Sequence, residues 1–259
     1  SAPVGARPLN RSDYKTLSLS ALGGALEFYD FIIFVFFAAV VGKLFFPADM
    51  PEWLRQFQTF GIFAAGYLAR PLGGIIMAHF GDLLGRKRMF TLSIFLMGVP
   101  TLAMGLLPTY EQIGIWAPIL LILLRVVQGF STGGEWGGAA IYIVEHVDRD
   151  KRGLNSSWLG GSAAFGLGGA LLAVLIARAA VGEEAFNAWG WRLPFLFSLA
   201  LLAISMWIRL KLHESPMFQK LKDEGTRSER PLADSFTNWS SLKTVLIALF
   251  GIMIAQGAV

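Results

Sequence analysis

The chain has 259 residues, of which 54% are hydrophobic and only 15% charged, with a net charge of +4. A soluble domain carries about a quarter charged residues, so this balance cannot cover a water-facing surface. Cysteine is absent, which excludes a disulfide framework and a thiolate metal site and leaves the redox compartment unread.

Ser1 to Asn10 lack the apolar core and cleavage site of a signal peptide, so the first span is expected to stay in the mature protein. Crossing a hydrocarbon core of about 30 Å takes roughly 20 apolar residues, and in lipid these must be helical to satisfy their own backbone. Such runs occur at Leu17–Phe46, Phe57–Phe80, Met89–Leu107, Ile113–Val144, Ser157–Val181 and Leu193–Leu210. The reading is an all-α membrane protein with six complete spans. It divides into an N-terminal arm (1–16), a six-helix bundle (17–211), a charged linker (212–243) and the start of a seventh, truncated span (244–259).

Most of the 22 Lys and Arg gather in four places: the arm (Arg7, Arg11, Lys15), the loop after span two (Arg86, Lys87, Arg88), the loop after span four (Arg149, Lys151, Arg152), and the segment from Arg209 to Lys243. Lys43, Arg55, Arg178 and Arg192 fall on the other side. The positive-inside rule then places the N-terminus in the cytoplasm. Net charge follows from this bias and from contact with anionic lipid, not from nucleic-acid binding. Trp116, Trp189 and Trp191 sit near outer span ends, where amphipathic rings anchor.

Five charged residues fall inside spans: Glu27 and Asp30 in span one, Arg70 in span two, Arg125 and Glu135 in span four. An ionisable group in the membrane costs several kcal/mol unless paired or hydrated, so each is a functional candidate. Glu27 lies twelve positions past Lys15 and Arg70 twelve before Asp82, each about 18 Å along its helix and near the midplane. Glu27 and Asp30 share a helix face; so do Arg125 and Gln128, with Glu135 seven residues beyond Gln128. Two readings stay open. Glu27 or Glu135 neutralises Arg125 in a structural ion pair; or burial and a nearby cation balance a carboxylate so that it exchanges a proton when substrate arrives.

Gly129, Gly133, Gly134, Gly137 and Gly138 in span four, and Gly160, Gly161, Gly166, Gly168 and Gly169 in span five, suit close helix packing. The span-four run superficially matches a dinucleotide loop, but no strand precedes it. His79, His146 and His213 are too scattered for a metal pair. No nucleophile–base set, carboxylate dyad or P-loop is visible, and an enzyme is not expected.

The segment Ala78-His-Phe-Gly-Asp-Leu-Leu-Gly-Arg-Lys-Arg88 resembles the signature loop of the major facilitator superfamily. Ala78 stands where a glycine is usual and Leu83 where a basic residue is common. Leu124-Arg-Val-Val-Gln-Gly129 is similar to that superfamily's fourth-helix motif, whose arginine is associated with proton coupling. Glu27-Phe-Tyr-Asp30, Arg70-Pro-Leu-Gly-Gly74, Gln128-Gly-Phe-Ser-Thr-Gly-Gly-Glu135, Trp189-Gly-Trp-Arg-Leu-Pro-Phe195 and Glu214-Ser-Pro-Met-Phe218 together resemble the metabolite:proton symporter family. That family includes carriers of shikimate, 2-oxoglutarate, citrate and proline or glycine betaine.

The resemblance implies a major-facilitator-type bundle, the first half of a twelve-span carrier in a bacterial inner membrane, working by alternating access with a second six-helix half absent from these 259 residues. It implies a small organic acid or zwitterionic osmolyte as substrate, the proton as coupling ion and no cofactor. By the same resemblance Glu27, Asp30, Arg125 and Glu135 serve proton coupling. Tyr29, Arg70, Arg125 and Gln128 contact substrate, and Asp82, Gly85, Arg86 and Lys87 form a cytoplasmic gate.

Overall fold

A computed structural model describes residues 11–146, 152–210, 216–225, 231–237 and 239–247, and every regular element among them is helical. Six long helices carry the apolar runs: α1 (Arg11–Leu44), α2 (Glu52–Leu84), α3 (Arg86–Leu106), α4 (Trp116–His146), α5 (Arg152–Val181) and α6 (Arg192–Leu210). Most helices extend a few residues past the apolar windows, because backbone hydrogen bonding continues into the polar ends once a helix is nucleated. Five of them are individually long and apolar enough to cross a membrane. A sixth span results if the turns at 183–190 and α6 count as one, bent by 62°.

The expected linker contains three short helices, α7 (Pro216–Asp223), α8 (Pro231–Thr237) and α9 (Trp239–Leu246). The first ten residues, the centre of the loop after α4 and the expected seventh span from 248 onward lie outside the described residues, as does the side chain of Glu27.

The apolar residues of α1 are spread all round the helix, and α1 packs against α2, α4, α5 and α6 while Val35 and Phe36 stay exposed. Its Ile33, Phe34, Phe37 and Val41, with Phe45 just past its end, form one core with Leu121 of α4, Val174 of α5 and Phe195 of α6. Trp191 belongs to this core too. It is only 2% exposed, with its ring centroid 4.5 Å from that of Phe37. The expected interfacial anchor is therefore a core residue, drawn inward by Phe37, Phe45 and Phe195, whereas Trp116 and Trp189 are exposed.

α2 and α4 make the closest helix pair. A Cβ placed on Gly129 would overlap the carbonyl of Gly66, one on Gly133 the carbonyl of Arg70, and one on Gly73 the carbonyl of Phe130. Backbones approach this closely only where side chains are missing. Gly129 to Gly138 all lie inside the single helix α4. Gly137, Gly160, Gly161 and Gly168 have no neighbour within 4 Å of their Cβ positions among the described residues, and close packing is seen at Gly129, Gly133, Gly134 and Gly166. The outward faces of α2 and α5 carry Phe57, Phe60, Leu68, Leu72, Phe165, Leu172 and Ile176, all exposed. Apolar exposure of this kind suits lipid.

Candidate functional site

Where α1 meets the α2–α4 pair, Asp30, Gly66, Arg70, Arg125, Gln128, Gly129 and Thr132 line a pocket of about 10 Å³, room for roughly one water. Four residues expected from the sequence to form the site, Asp30, Arg70, Arg125 and Gln128, are thus brought together from three helices. Asp30, Arg125 and Gln128 are each buried to within 5% of full enclosure.

Gln128 is the connector. Its carbonyl oxygen accepts from the Arg125 guanidinium, and its amide nitrogen donates to Asp30 Oδ2 at 3.1 Å and to Thr101 Oγ1 at 2.8 Å. Thr101, on α3, lies 2.7 Å from Asp30 Oδ2 and 2.9 Å from the Met97 carbonyl. A hydroxyl has one proton, so it can serve only one of those two acceptors at a time. The Arg125 guanidinium carbon sits 4.0 Å from the centroid of Phe34 and 5.6 Å from that of Phe63, and that of Arg70 sits 4.2 Å over Tyr67. Two polar atoms in the cluster, Asp30 Oδ1 and Arg125 Nε, are buried without a hydrogen-bond partner among the described residues.

Glu135 is not part of this pocket. Seven residues farther along α4, about 10 Å, it is fully buried and paired with Arg209 of α6. Arg209 Nη1 donates to Glu135 Oε2 at 3.0 Å, Nη2 donates to Oε1, and the Ser93 hydroxyl also donates to the carboxylate. Arg209 donates to the Phe90 carbonyl as well, and its guanidinium carbon lies 3.6 Å from that ring's centroid. Two sequence expectations are corrected here. Arg209 is a buried helical cation near the end of α6, at 1% exposure, not a loop charge, and Glu135 neutralises Arg209 rather than Arg125. The signal was present, since Arg209 falls within the apolar run that ends at Leu210.

Tyr29 is also elsewhere. It is buried against α6, with its hydroxyl donating to the Pro194 carbonyl at 2.8 Å and its ring 6.3 Å from that of Phe197. Consecutive helical residues point about 100° apart, and here Tyr29 turns to α6 while Asp30 turns to the pocket. Glu27 lies in α1, but its side chain is outside the described residues. Thr101 and Ser93, eight residues apart on α3, carried no charge and so gave no sequence signal, though both bind a buried carboxylate.

At the opposite end of α2, Asp82 and Arg86 form an ion pair at 2.8 Å across Gly85. Gly85 has φ +112° and ψ +144°, a conformation open essentially to glycine alone, and this breaks α2 from α3. Lys87 donates to the Leu210 carbonyl at 3.2 Å, capping the C-terminus of α6.

The profile of the sugar (and other) transporter family matches residues 17–251. The chain belongs to that family. Curated relatives include a glycine betaine/proline/ectoine/pipecolic acid transporter of Dickeya dadantii, 40% identical, aligned over 83% of this chain and 43% of its own length. The shikimate transporter of Escherichia coli is 43% identical over 81% of this chain and 50% of its own. An inner membrane metabolite transport protein of the same organism is 39% identical over 95% and 55%. The chain therefore spans about half the length of the curated relatives it matches. Among solved structures, the proton:xylose symporter XylE bound to 6-bromo-6-deoxy-D-glucose superposes with a TM-score of 0.73 at 17% identity, covering 92% of this chain and 52% of that one. An inward-open form of the E. coli xylose transporter gives 0.70 at 16% identity, covering 90% and 54%. The fold is that of a major-facilitator transporter, and the family is one of transporters rather than enzymes.

Proposed function

We propose that this chain forms the N-terminal half of a proton-coupled symporter for a small polar metabolite, with the pocket between Asp30 and Arg125 as the coupling site. The observation that carries the reading is the Asp30–Gln128–Arg125 chain at a cavity the size of one water. Thr101 supports it. With Asp30 ionised, the hydroxyl donates to the carboxylate; with Asp30 protonated, it turns to the Met97 carbonyl and accepts the new O–H. Asp30 Oδ2 therefore keeps a partner in both protonation states without moving the backbone, which a proton carrier needs.

Glu135 already has its charge matched by Arg209 and a hydrogen bond from Ser93, so among the described carboxylates Asp30 is the better proton carrier. Arg70 and Arg125 hold the substrate, with Gln128 between Arg125 and the proton site. The cycle is alternating access: proton and solute bind from outside, the two halves rock, and both leave to the cytoplasm. The Asp82–Arg86 pair at the Gly85 break closes the inner side against the second half. The N-terminus is cytoplasmic and the membrane is a bacterial inner membrane, in keeping with the relatives' sources and the Lys/Arg distribution. The relatives' names include both betaine and shikimate carriers, so similarity leaves the solute open.

The test is uptake by the full-length protein in proteoliposomes, with and without an inward proton gradient. Accumulation that collapses without the gradient is expected. Flux that ignores the gradient marks a uniporter on the same fold, and saturable binding with no flux marks a sensor.

A further inference from the structure

We propose that the groove between α5 and α6 is a binding site for one phospholipid acyl chain, taken from the leaflet on the side of the α5–α6 turn. The groove has a volume of about 410 Å³. Gly169, Ala173, Ala177 and Ala180 of α5 form one wall and Pro194 and Phe197 of α6 the other, and no residue lining it carries a polar side chain. Tyr29 of α1 closes the back, its Cδ2 3.8 Å from a Cβ placed on Gly169 and its ring 6.3 Å from that of Phe197.

The groove exists because α6 leans on α3. A Cβ on Gly98 would collide with Leu202 and one on Gly105 with Phe195, so α6 sinks into α3 where α3 lacks side chains. Arg192 adds a hydrogen bond to the Gly105 carbonyl at 2.8 Å. Phe197, two residues past Phe195, points to another side of the helix and is 54% exposed. On α5 the facing residues are glycine and alanine, and Leu172 and Ile176, which also line the groove, stay exposed rather than folding in. The gap between the two helices is left for something else.

Depth, width and chemistry choose the occupant. From Gly169 to Ala180 the groove runs about 16 Å along α5, half of a hydrocarbon core of about 30 Å. The Arg178–Glu183 ion pair and the exposed Trp189 put its upper end at the level of the headgroups. Spread over that length, the volume leaves a section of about 25 Å², whereas an α-helix with its side chains is about 10–12 Å across. A single hydrocarbon chain fits such a slot and a helix of the second half does not. Lipid and groove are equally apolar, so water exclusion does not drive the binding. What favours it is contact, because an unfilled slot forfeits the dispersion attraction of its lining. A chain seated here is touched from three sides, by α5, α6 and Tyr29, unlike lipid lying on a convex helix face.

The test uses the full-length protein in proteoliposomes that contain a trace of phosphatidylcholine with a diazirine in one acyl chain. After illumination and digestion, labelling should fall on the groove residues and move from Ala180 toward Gly169 as the diazirine is placed deeper in the chain. Native mass spectrometry after transfer to detergent should find one phospholipid retained per protein. Ala173→Phe puts a ring into the slot and should cut that retention roughly fivefold or more, whereas Leu175→Phe, at an exposed position outside the lining, should leave it unchanged. Equal retention in the parent and Ala173→Phe overturns the proposal. So does a groove that stays unlabelled while exposed residues such as Phe95 of α3 are labelled, since the second half or a second copy of the chain then covers it. If Ala173→Phe fails to reach the membrane, the labelling of the parent decides by itself.

Discussion

The Glu135–Arg209 pair offers a quantitative test of what a buried charge does in this bundle. Both side chains are 1% exposed, both guanidinium Nη atoms bond the carboxylate, and Ser93 and the Phe90 carbonyl complete the cluster. Removing one partner leaves the other charge unmatched in a dry interior, which costs about 3–5 kcal/mol. Removing both in favour of apolar groups of similar size is close to neutral, because the desolvation penalty goes with the attraction. Arg209→Met and Glu135→Leu alone should each lower the detergent melting temperature of the full-length protein by several degrees, and the double variant should recover most of that loss.

The pair ties α4 to α6 beside Ser93 of α3, so the proton dependence of residual uptake in Glu135→Gln should match that of the parent. Single variants no worse than the double would refute the ion-pair reasoning. A changed proton dependence in Glu135→Gln would show that Glu135, and not only Asp30, carries the coupled proton.

Asp30→Asn keeps the contacts to Thr101 and Gln128 but cannot ionise. Gradient-driven accumulation should fall at least tenfold while substrate exchange across the membrane continues, and accumulation surviving intact would remove Asp30 from the coupling role. Tyr29→Phe loses one buried hydrogen bond to Pro194, worth about 1 kcal/mol. It should lower thermal stability slightly and leave substrate affinity unchanged; a large affinity loss would return Tyr29 to the binding site. Gly129→Leu drives a side chain into the Gly66 backbone. Its folded yield in the membrane should collapse, whereas Gly137→Leu, with no described residue near its Cβ, should be produced normally.

The sequence by itself determined the class, most of the spans and most of the midplane charges. Those features are set by local rules: a span is a matter of length and apolarity, and a charge inside one stands out against its neighbours. Asp30, Arg70, Arg125 and Gln128 could therefore be named in advance, and Gly129 and Gly133 could be read as packing residues. Only the tertiary structure decided who pairs with whom. Arg125 is reached by Asp30 through Gln128, while Glu135 is met by Arg209 from a helix 74 residues away. Helical spacing fixes the face of one helix but not the rotation and depth of the next. Thr101 and Ser93 are uncharged, and their importance arises from what faces them. Tyr29 and Trp191 looked available from the sequence and are consumed by packing, because a residue's neighbours in a bundle are set by how the other helices pack against α1, not by the residues beside it in the chain.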